Sequence, residues 1–212
     1  MEMEGLKNMG DQHIGIFGGT FDPPHHAHLL MAEQACEMLN LSQLLFVPAA
    51  IPPHKDTTRV GTVHRLKMLE LAIGNNTHFT ISRVDLDRPG PHYSADMVRI
   101  LYEQYPTAHF SFIMGEDSFR NFHTWNRPEA LYRDGRLTLT VMIRTCEGKQ
   151  ITADYHADRL PDLAQYVRIL PFPVMEVSSS DVVRRLKAGK SVRYLLPEAV
   201  IAYIHEHDLY KM

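Results

Sequence analysis

The sequence predicts an α/β fold: a Rossmann-like, mostly parallel sheet with helices on both faces, in a single domain. Three observations carry that expectation. Apolar runs of strand length recur along the chain, as at Ile14 to Phe17, Leu44 to Val47 and Leu137 to Ile143. Between them lie stretches with apolar residues at helical spacing, so strands alternate with helices and imply crossover connections. No internal repeat and no low-complexity linker divides the chain. Met1 to Gln12, acidic and Met-rich, reads as a flexible N-terminal extension, and residues 13–212 as one domain.

Each element has its own signal. Ile14 to Phe17 is a strand stopped by Gly18-Gly19, and His26 to Leu39 is a helix with Leu29, Leu30, Ala32 and Cys36 on its apolar side. Leu44 to Val47 is a second buried strand ended by Pro48, followed by a Pro-, Lys- and Thr-containing loop from Ala49 to Gly61. Val63 to Ile73 is helical, with Leu66, Leu69 and Ile73 in phase. Phe79 to Leu86 alternates like an edge strand, and Asp87 to Pro91 is a turn. Ser94 to Tyr105 is a helix with Ser94 as its cap, and His109 to Met114 is a strand stopped by Gly115. Glu116 to Asp134 is helical but broken near Pro128, and Arg144 to Leu163 is irregular. After a strand at Val167 to Leu170, two helices close the chain, Ser179 to Lys187 and Pro197 to His207, the latter with Pro in its first turn.

Bulk properties narrow the function. The chain has 212 residues, 44% hydrophobic and 22% charged, with a net charge of −3. That balance argues against nucleic-acid binding through a basic surface. Two cysteines, Cys36 and Cys146, in no Cys-x-x-Cys pair, point to a reducing compartment. No apolar run approaches the ~20 residues needed to span a bilayer, and the N-terminus has no apolar leader. The expected location is the cytoplasm, with no membrane partner. Self-association as a homo-oligomer stays open.

The stretch that carries chemistry is Ile-Gly-Ile-Phe-Gly-Gly-Thr-Phe-Asp-Pro-Pro-His-His-Ala-His, residues 14–28. A strand leading through a glycine turn to a helix start can hold phosphate, because backbone N–H groups approach the anion. His25 and His28, three apart, can lean toward one ligand. The glycines fit neither a Walker loop nor a dinucleotide fingerprint. A zinc site from His25, His26 and His28 is disfavoured, since adjacent helical residues point about 100° apart; no metal site is expected. In a parallel sheet, loops at the strand C-termini share a cleft. The Gly-Gly loop, the loop after Val47 and the Gly115 turn all lie at such ends.

These pieces resemble the nicotinate-nucleotide adenylyltransferases, within the nucleotidyltransferases marked by His-x-Gly-His. The resemblance runs from about Ile14 to Tyr210. It rests on Gly18-Gly19-Thr20-Phe21-Asp22-Pro23, the His25 and His28 pair, Pro52-Pro53-His54-Lys55, His64-Arg65-Leu66, Tyr93-Ser94, Gly115-Glu116-Asp117-Ser118, Thr124-Trp125 and Ser178-Ser179-Ser180. It implies transfer of AMP from ATP to nicotinate mononucleotide, giving deamido-NAD and pyrophosphate. His25, His28 and Lys55 would act on the reacting phosphates. Gly18, Gly19, Thr20, Phe21, Asp117, Ser179, Ser180 and Arg184 would bind ATP. Ser94, Trp125 and Asn126 would form the nicotinate pocket, and Mg²⁺ would ride on the triphosphate.

Two positions depart from the family pattern. Ala27 replaces the Gly between the histidines. Val183 stands where the closing Ser-Ser-Thr/Ser-x-Ile-Arg motif has its arginine, which displaces that charge to Arg184. On a helix Arg184 lies about 40° off the direction of Ser180. Arg59, Lys67, Arg133 and Arg136 read as solvated surface charges. Competing readings keep the cleft but change the acceptor to nicotinamide mononucleotide or a phosphopantetheine group, or give up turnover for a nucleotide-binding module.

Overall fold

The computed structural model describes residues 12–50, 59–144, 151–173 and 175–211. Among these residues six strands form one parallel sheet: β1 (His13–Gly19), β2 (Gln43–Pro48), β3 (Phe79–Ile81), β4 (His109–Gly115), β5 (Leu137–Arg144) and β6 (Val167–Phe172). Their order is β3-β2-β1-β4-β5-β6. The chain winds outward from β1 to β3, then returns to the other side of β1. The strand order therefore reverses between β1 and β4, where a crevice opens beyond the strand ends. Pairing of those two strands runs from His13 opposite His109 to Phe17 opposite Ile113, past which the chains diverge.

Among the described residues seven helices accompany the sheet: α1 (His26–Leu39), α2 (Thr62–Ile73), α3 (Ser94–Gln104), α4 (Glu116–Arg120), α5 (Glu129–Tyr132), α6 (Ser179–Lys187) and α7 (Glu198–Glu206). One apolar cluster gathers Ile14, Ile16, Val98, Leu101, Phe112 and Leu139, with the α3 side of the sheet. Another joins Phe17, Ala32, Cys36, Leu44 and Phe46 on the α1 side. A third, formed by Met68, Val182, Val183, Leu196, Val200, Ile204 and Tyr210, seats α6 and α7 on α2. No helix among the described residues is long and apolar enough to cross a membrane.

The expected order of elements is the observed one, with differences in extent. β3 stops at Ile81 rather than Leu86. The Ser82 amide donates to Phe46 O at 2.9 Å, and then Leu86 N closes a turn onto Arg83 O at 2.8 Å, which takes the chain off the sheet edge. Glu116 to Asp134 is three short pieces, α4, a 3-10 turn at Phe122–Thr124 and α5. Arg127 lies at φ 50° immediately before Pro128, and neither continues a helix. Tyr93, not Ser94, is the N-cap of α3, so Ser94 is its first helical residue. Pro197 likewise precedes α7 as its N-cap.

Candidate active site

The cleft at the strand-order reversal has a volume of about 870 Å³. Gly18, Gly19 and Thr20 from the end of β1 form part of its wall, and Asp117 enters from the start of α4. At the other end stand Ser94, Trp125 and Asn126. Seven of the residues expected to contact ligand thus share one cavity, although they come from four separate parts of the chain.

The two glycines differ in what they accommodate. A Cβ built on Gly19 would lie 2.8 Å from the Phe21 ring, whereas one on Gly18 would meet nothing closer than 4.0 Å. Gly19 is therefore required by packing: Phe21, at φ 50°, folds its ring back across that backbone. Gly18 is exposed to the cleft and leaves room for a ligand to approach. The Phe21 ring itself is buried against Phe17, Phe46 and His28, so only its backbone can face a nucleotide.

The two histidines meet, though not by sharing a helical face. His25 is the extended N-cap of α1 (φ −141°, ψ 168°), and its ring stacks on that of His28 with centroids 3.6 Å apart and planes 17° from parallel. The His25 amide donates to His28 Nδ1 at 3.2 Å. An amide can only donate, so the proton of a neutral His28 sits on Nε2, which is left as a donor. Burial, reinforced by the neighbouring His26, lowers His25 to about 4. Burial and then the adjacent His25 hold His28 well below the ordinary histidine value. Both rings are neutral at pH 7. The start of α1 offers fewer free amides than expected, because the His26 amide donates to Leu195 O at 3.0 Å and the His28 amide to His25 O at 2.9 Å.

A buried polar network supports this loop from beneath. Arg65, at 0% exposure, donates to Thr20 O at 2.9 Å, to Ala50 O at 3.2 Å and to Thr62 Oγ1 at 3.1 Å. It ties α2 to the loops after β1 and β2. Burial pulls its pKa below the usual arginine value, and Asp22 and Tyr210 offset that in part. The buried Asp22 accepts from the Tyr210 hydroxyl at 2.6 Å and from the Arg59 amide at 2.7 Å. The Arg59 guanidinium continues to Asp22 O at 3.2 Å and to Ser180 Oγ at 2.7 Å. Arg59 lies on an exposed face, as the sequence suggests, but its guanidinium is held there by Asp22 O and Ser180 Oγ rather than left free in solvent. Lys67, paired with Glu70, and Arg133, paired with Asp162, also lie on exposed faces.

At the start of α6, Ser178 caps the helix by accepting from the Asp181 amide at 3.1 Å, and Ser179 Oγ donates to Pro23 O at 2.9 Å. Ser179 and Ser180 are brought beside the loop that carries His25. Arg184 is not: its side chain is 79% exposed and pairs with Asp181 on the outer face. Val183 is buried in the third apolar cluster, so position 183 faces the core.

In the nicotinate region, Arg88 orders the loop before α3. Its guanidinium pairs with the buried Asp85 at 2.7 Å and donates to Pro91 O at 3.0 Å and Tyr93 O at 3.1 Å. Trp125 packs edge-on to Phe112, with centroids 5.8 Å apart, while also facing the cleft. It serves core and cavity at once. Asn126 Oδ1 accepts from Arg127 Nε at 3.1 Å, which orients its amide. Asp117 stands inside the first turn of α4, whose N-cap is Gly115, so capping does not account for its position. Lys55 and the rest of the Pro52-Pro53-His54 loop lie outside the described residues. Among the described residues no group of three or more His, Cys, Asp or Glu side chains is arranged to hold a metal ion.

Comparison with known proteins identifies the family and the fold. The Cytidylyltransferase-like family model matches residues 16–185. A Thermomicrobium roseum protein named "Probable nicotinate-nucleotide adenylyltransferase" is 41% identical over 199 residues, covering 93% of this chain and 91% of its own length. One of the same name from Thermus thermophilus is 41% identical over 200 residues, covering 93% and 99%. The solved Plasmodium falciparum nicotinic acid mononucleotide adenylyltransferase complexed with NaAD shares the fold, with a TM-score of 0.74 at 19% identity over 94% of this chain and 97% of that one. The chain belongs to the nicotinate-nucleotide adenylyltransferases, within the cytidylyltransferase-like family.

Proposed function

We propose that this chain transfers the AMP group of ATP to nicotinate mononucleotide, forming deamido-NAD and releasing pyrophosphate. The observation that carries the reading is the single cleft at the β1/β4 reversal, with the Gly18–Thr20 turn at one end and Ser94, Trp125 and Asn126 at the other. Such a cavity suits two ligands meeting phosphate to phosphate. The relatives' names supply the acceptor.

A phosphate oxygen of the mononucleotide attacks the α-phosphorus of ATP, the bond to the bridging oxygen breaks, and pyrophosphate leaves with that electron pair. The nucleophile is already anionic, so no protein base is needed; alignment and charge stabilisation supply the rate. His28 donates from Nε2 to a phosphate oxygen. The arriving anion favours the charged form of a nearby imidazole and so raises the pKa of His25, while His28 Nδ1 stays the acceptor of the His25 amide. Backbone amides at Gly18 to Thr20 and at the start of α6, together with Ser179 and Ser180, close around the triphosphate. Lys55 neutralises charge between the attacking and transferring phosphates, and Asp117 accepts from the ATP ribose. Mg²⁺ carried by the ATP would supply positive charge to the triphosphate, with few ligands from the protein. Backbone amides near Ser94 and Trp125 take the nicotinate carboxylate. A carboxamide would set its own N–H₂ against a donor there, which disfavours the amide substrate.

The test is pyrophosphate release with ATP and Mg²⁺, comparing nicotinate mononucleotide with nicotinamide mononucleotide. Fast release with the acid and slow release with the amide is the expected result. Equal rates would sink the amide-lined pocket, and no release with either would sink the reaction.

A further inference from the structure

The start of α6 lacks the arginine that the resemblance to the family's closing motif leads one to expect at position 183. Val183 is buried, and Arg184 is turned outward onto Asp181. Phosphate binding at a helix start needs donors and a cation. Donors are present. The Ser178 cap takes the Asp181 amide, and the first intrahelical bond is that from Val182 to Ser178 O at 3.0 Å. The amides of Ser179 and Ser180 precede that bond and have no partner within the helix.

A cation is present too, from another part of the chain. Arg59 approaches from just before α2, and its guanidinium reaches Ser180 Oγ at 2.7 Å. Its place is fixed twice more, by its amide on Asp22 Oδ2 at 2.7 Å and by its second terminal nitrogen on Asp22 O at 3.2 Å. A guanidinium carries five N–H donors. Two serve these side-chain bonds, so three can still meet an anion. The group is pre-organised, which reduces the entropy lost when it pairs with phosphate.

We propose that Arg59 is the triphosphate-binding arginine of this chain, taking over at Ser180 the role that its relatives' motif assigns to the helix position occupied here by Val183. The proposal rests on the adenylyltransferase reading above and adds to it a residue outside every motif that identifies the family. Arg59 binds β- and γ-phosphate oxygens through the N–H groups not used on Asp22 and Ser180. The leaving pyrophosphate is therefore held by the segment before α2 and by α6 together.

Three variants, Arg59→Ala, Arg59→Lys and Arg184→Ala, test this against the wild type in steady-state turnover. Inhibition by inorganic tripolyphosphate serves as a second readout. A charge-assisted hydrogen bond sets the expected size, roughly a 10- to 100-fold rise in KM for ATP in Arg59→Ala. Tripolyphosphate inhibition should weaken by a similar factor, with KM for nicotinate mononucleotide changed far less. Arg59→Lys keeps the charge without the fork and should fall between. It also keeps the test open if Arg59→Ala fails to fold. Arg184→Ala should change KM for ATP less than twofold. The proposal is overturned if Arg184→Ala carries the larger ATP effect. It is equally overturned if Arg59 variants lose stability or kcat while KM for ATP and tripolyphosphate inhibition stay at wild-type values, since a purely structural tie would do that. A wild type that forms no dinucleotide but binds tripolyphosphate through Arg59 would instead remove the adenylyltransferase reading and leave the anion site standing.

Discussion

Tyr210, near the C-terminus, donates its hydroxyl to Asp22 Oδ1 at 2.6 Å, and both side chains are buried. The residues are 188 positions apart, so the end of the chain fastens the loop that carries the histidine pair. Burial, and then the Asp22 carboxylate, push the Tyr210 phenol far above its ordinary pKa, and it stays a donor at any working pH. Tyr210→Phe removes one partner of a buried charged group. The expected cost is about 1.5–3 kcal/mol, read as a lower urea midpoint at unchanged m. An unchanged midpoint would show that the contact contributes nothing.

The histidine pair makes stability depend on pH with a definite sign. His25 titrates at about 4 in the folded chain, against 6.5 unfolded. Between those values the unfolded chain binds a proton that the folded chain refuses. The contribution is complete above pH 6.5, is lost as pH falls to about 4, and does not change further below that. At ~1.4 kcal/mol per unit the loss is roughly 3 kcal/mol from His25; His28, also lowered, adds in the same direction. Urea midpoints measured from pH 7 to pH 4 should fall in the wild type and fall less steeply in His25→Gln. Parallel profiles for the two proteins would contradict this origin.

What could be read from the sequence was local. β1, its glycine stop and α1 announce themselves within residues 13–39, because apolar period and turn chemistry act over a few residues. The Gly18–Thr20 turn and the pocket residues Ser94 and Trp125 were legible through motif residues at element ends. What stayed hidden depends on contacts between distant segments. Arg59 reaches Ser180 across 121 positions, and no periodicity marks a cation that reaches a distant helix start. The His64-Arg65-Leu66 triplet marked Arg65, but nothing local showed that folding would bury it beneath the loops after β1 and β2. The fate of Arg184 turned on whether position 183 faces the core, which the α2–α6–α7 packing decides and a helical wheel of α6 alone does not.

Gly18 and Gly19 should respond oppositely to the same substitution. Gly19→Ala places a methyl 2.8 Å from the Phe21 ring and must displace it. Overpacking of this kind costs about 1–3 kcal/mol, so the thermal midpoint should fall. Gly18→Ala has space in the fold but puts its methyl on the cleft wall. Its midpoint should stay within a degree or two of wild type while KM for ATP rises. If Gly18→Ala binds ATP normally, no phosphate passes close to that backbone.

Arg65 offers the sharpest separation of positioning from binding. It is fully buried, and its hydrogen bonds end on Thr20 O, Ala50 O and Thr62 Oγ1 rather than on a carboxylate. Such an ion is tolerated because carbonyl and hydroxyl oxygens converge on it and the charge of Asp22 lies nearby, and in return it fixes the separation of the loops after β1 and β2. Arg65→Met keeps much of the volume but leaves those carbonyls without their donor. Loss of these charge-assisted bonds should cost roughly 2–4 kcal/mol. Arg65→Lys can satisfy one carbonyl but cannot span both loops, so it should recover part of the stability. Turnover should recover less than stability does, because a small shift of Thr20 misaligns the phosphates, and misplacement by about 1 Å can cost a hundredfold in rate. Urea midpoints and kcat measured on the same preparations distinguish the cases. If Arg65→Lys regains kcat in full, a buried charge suffices, and the fork between Thr20 and Ala50 has no part in positioning the cradle.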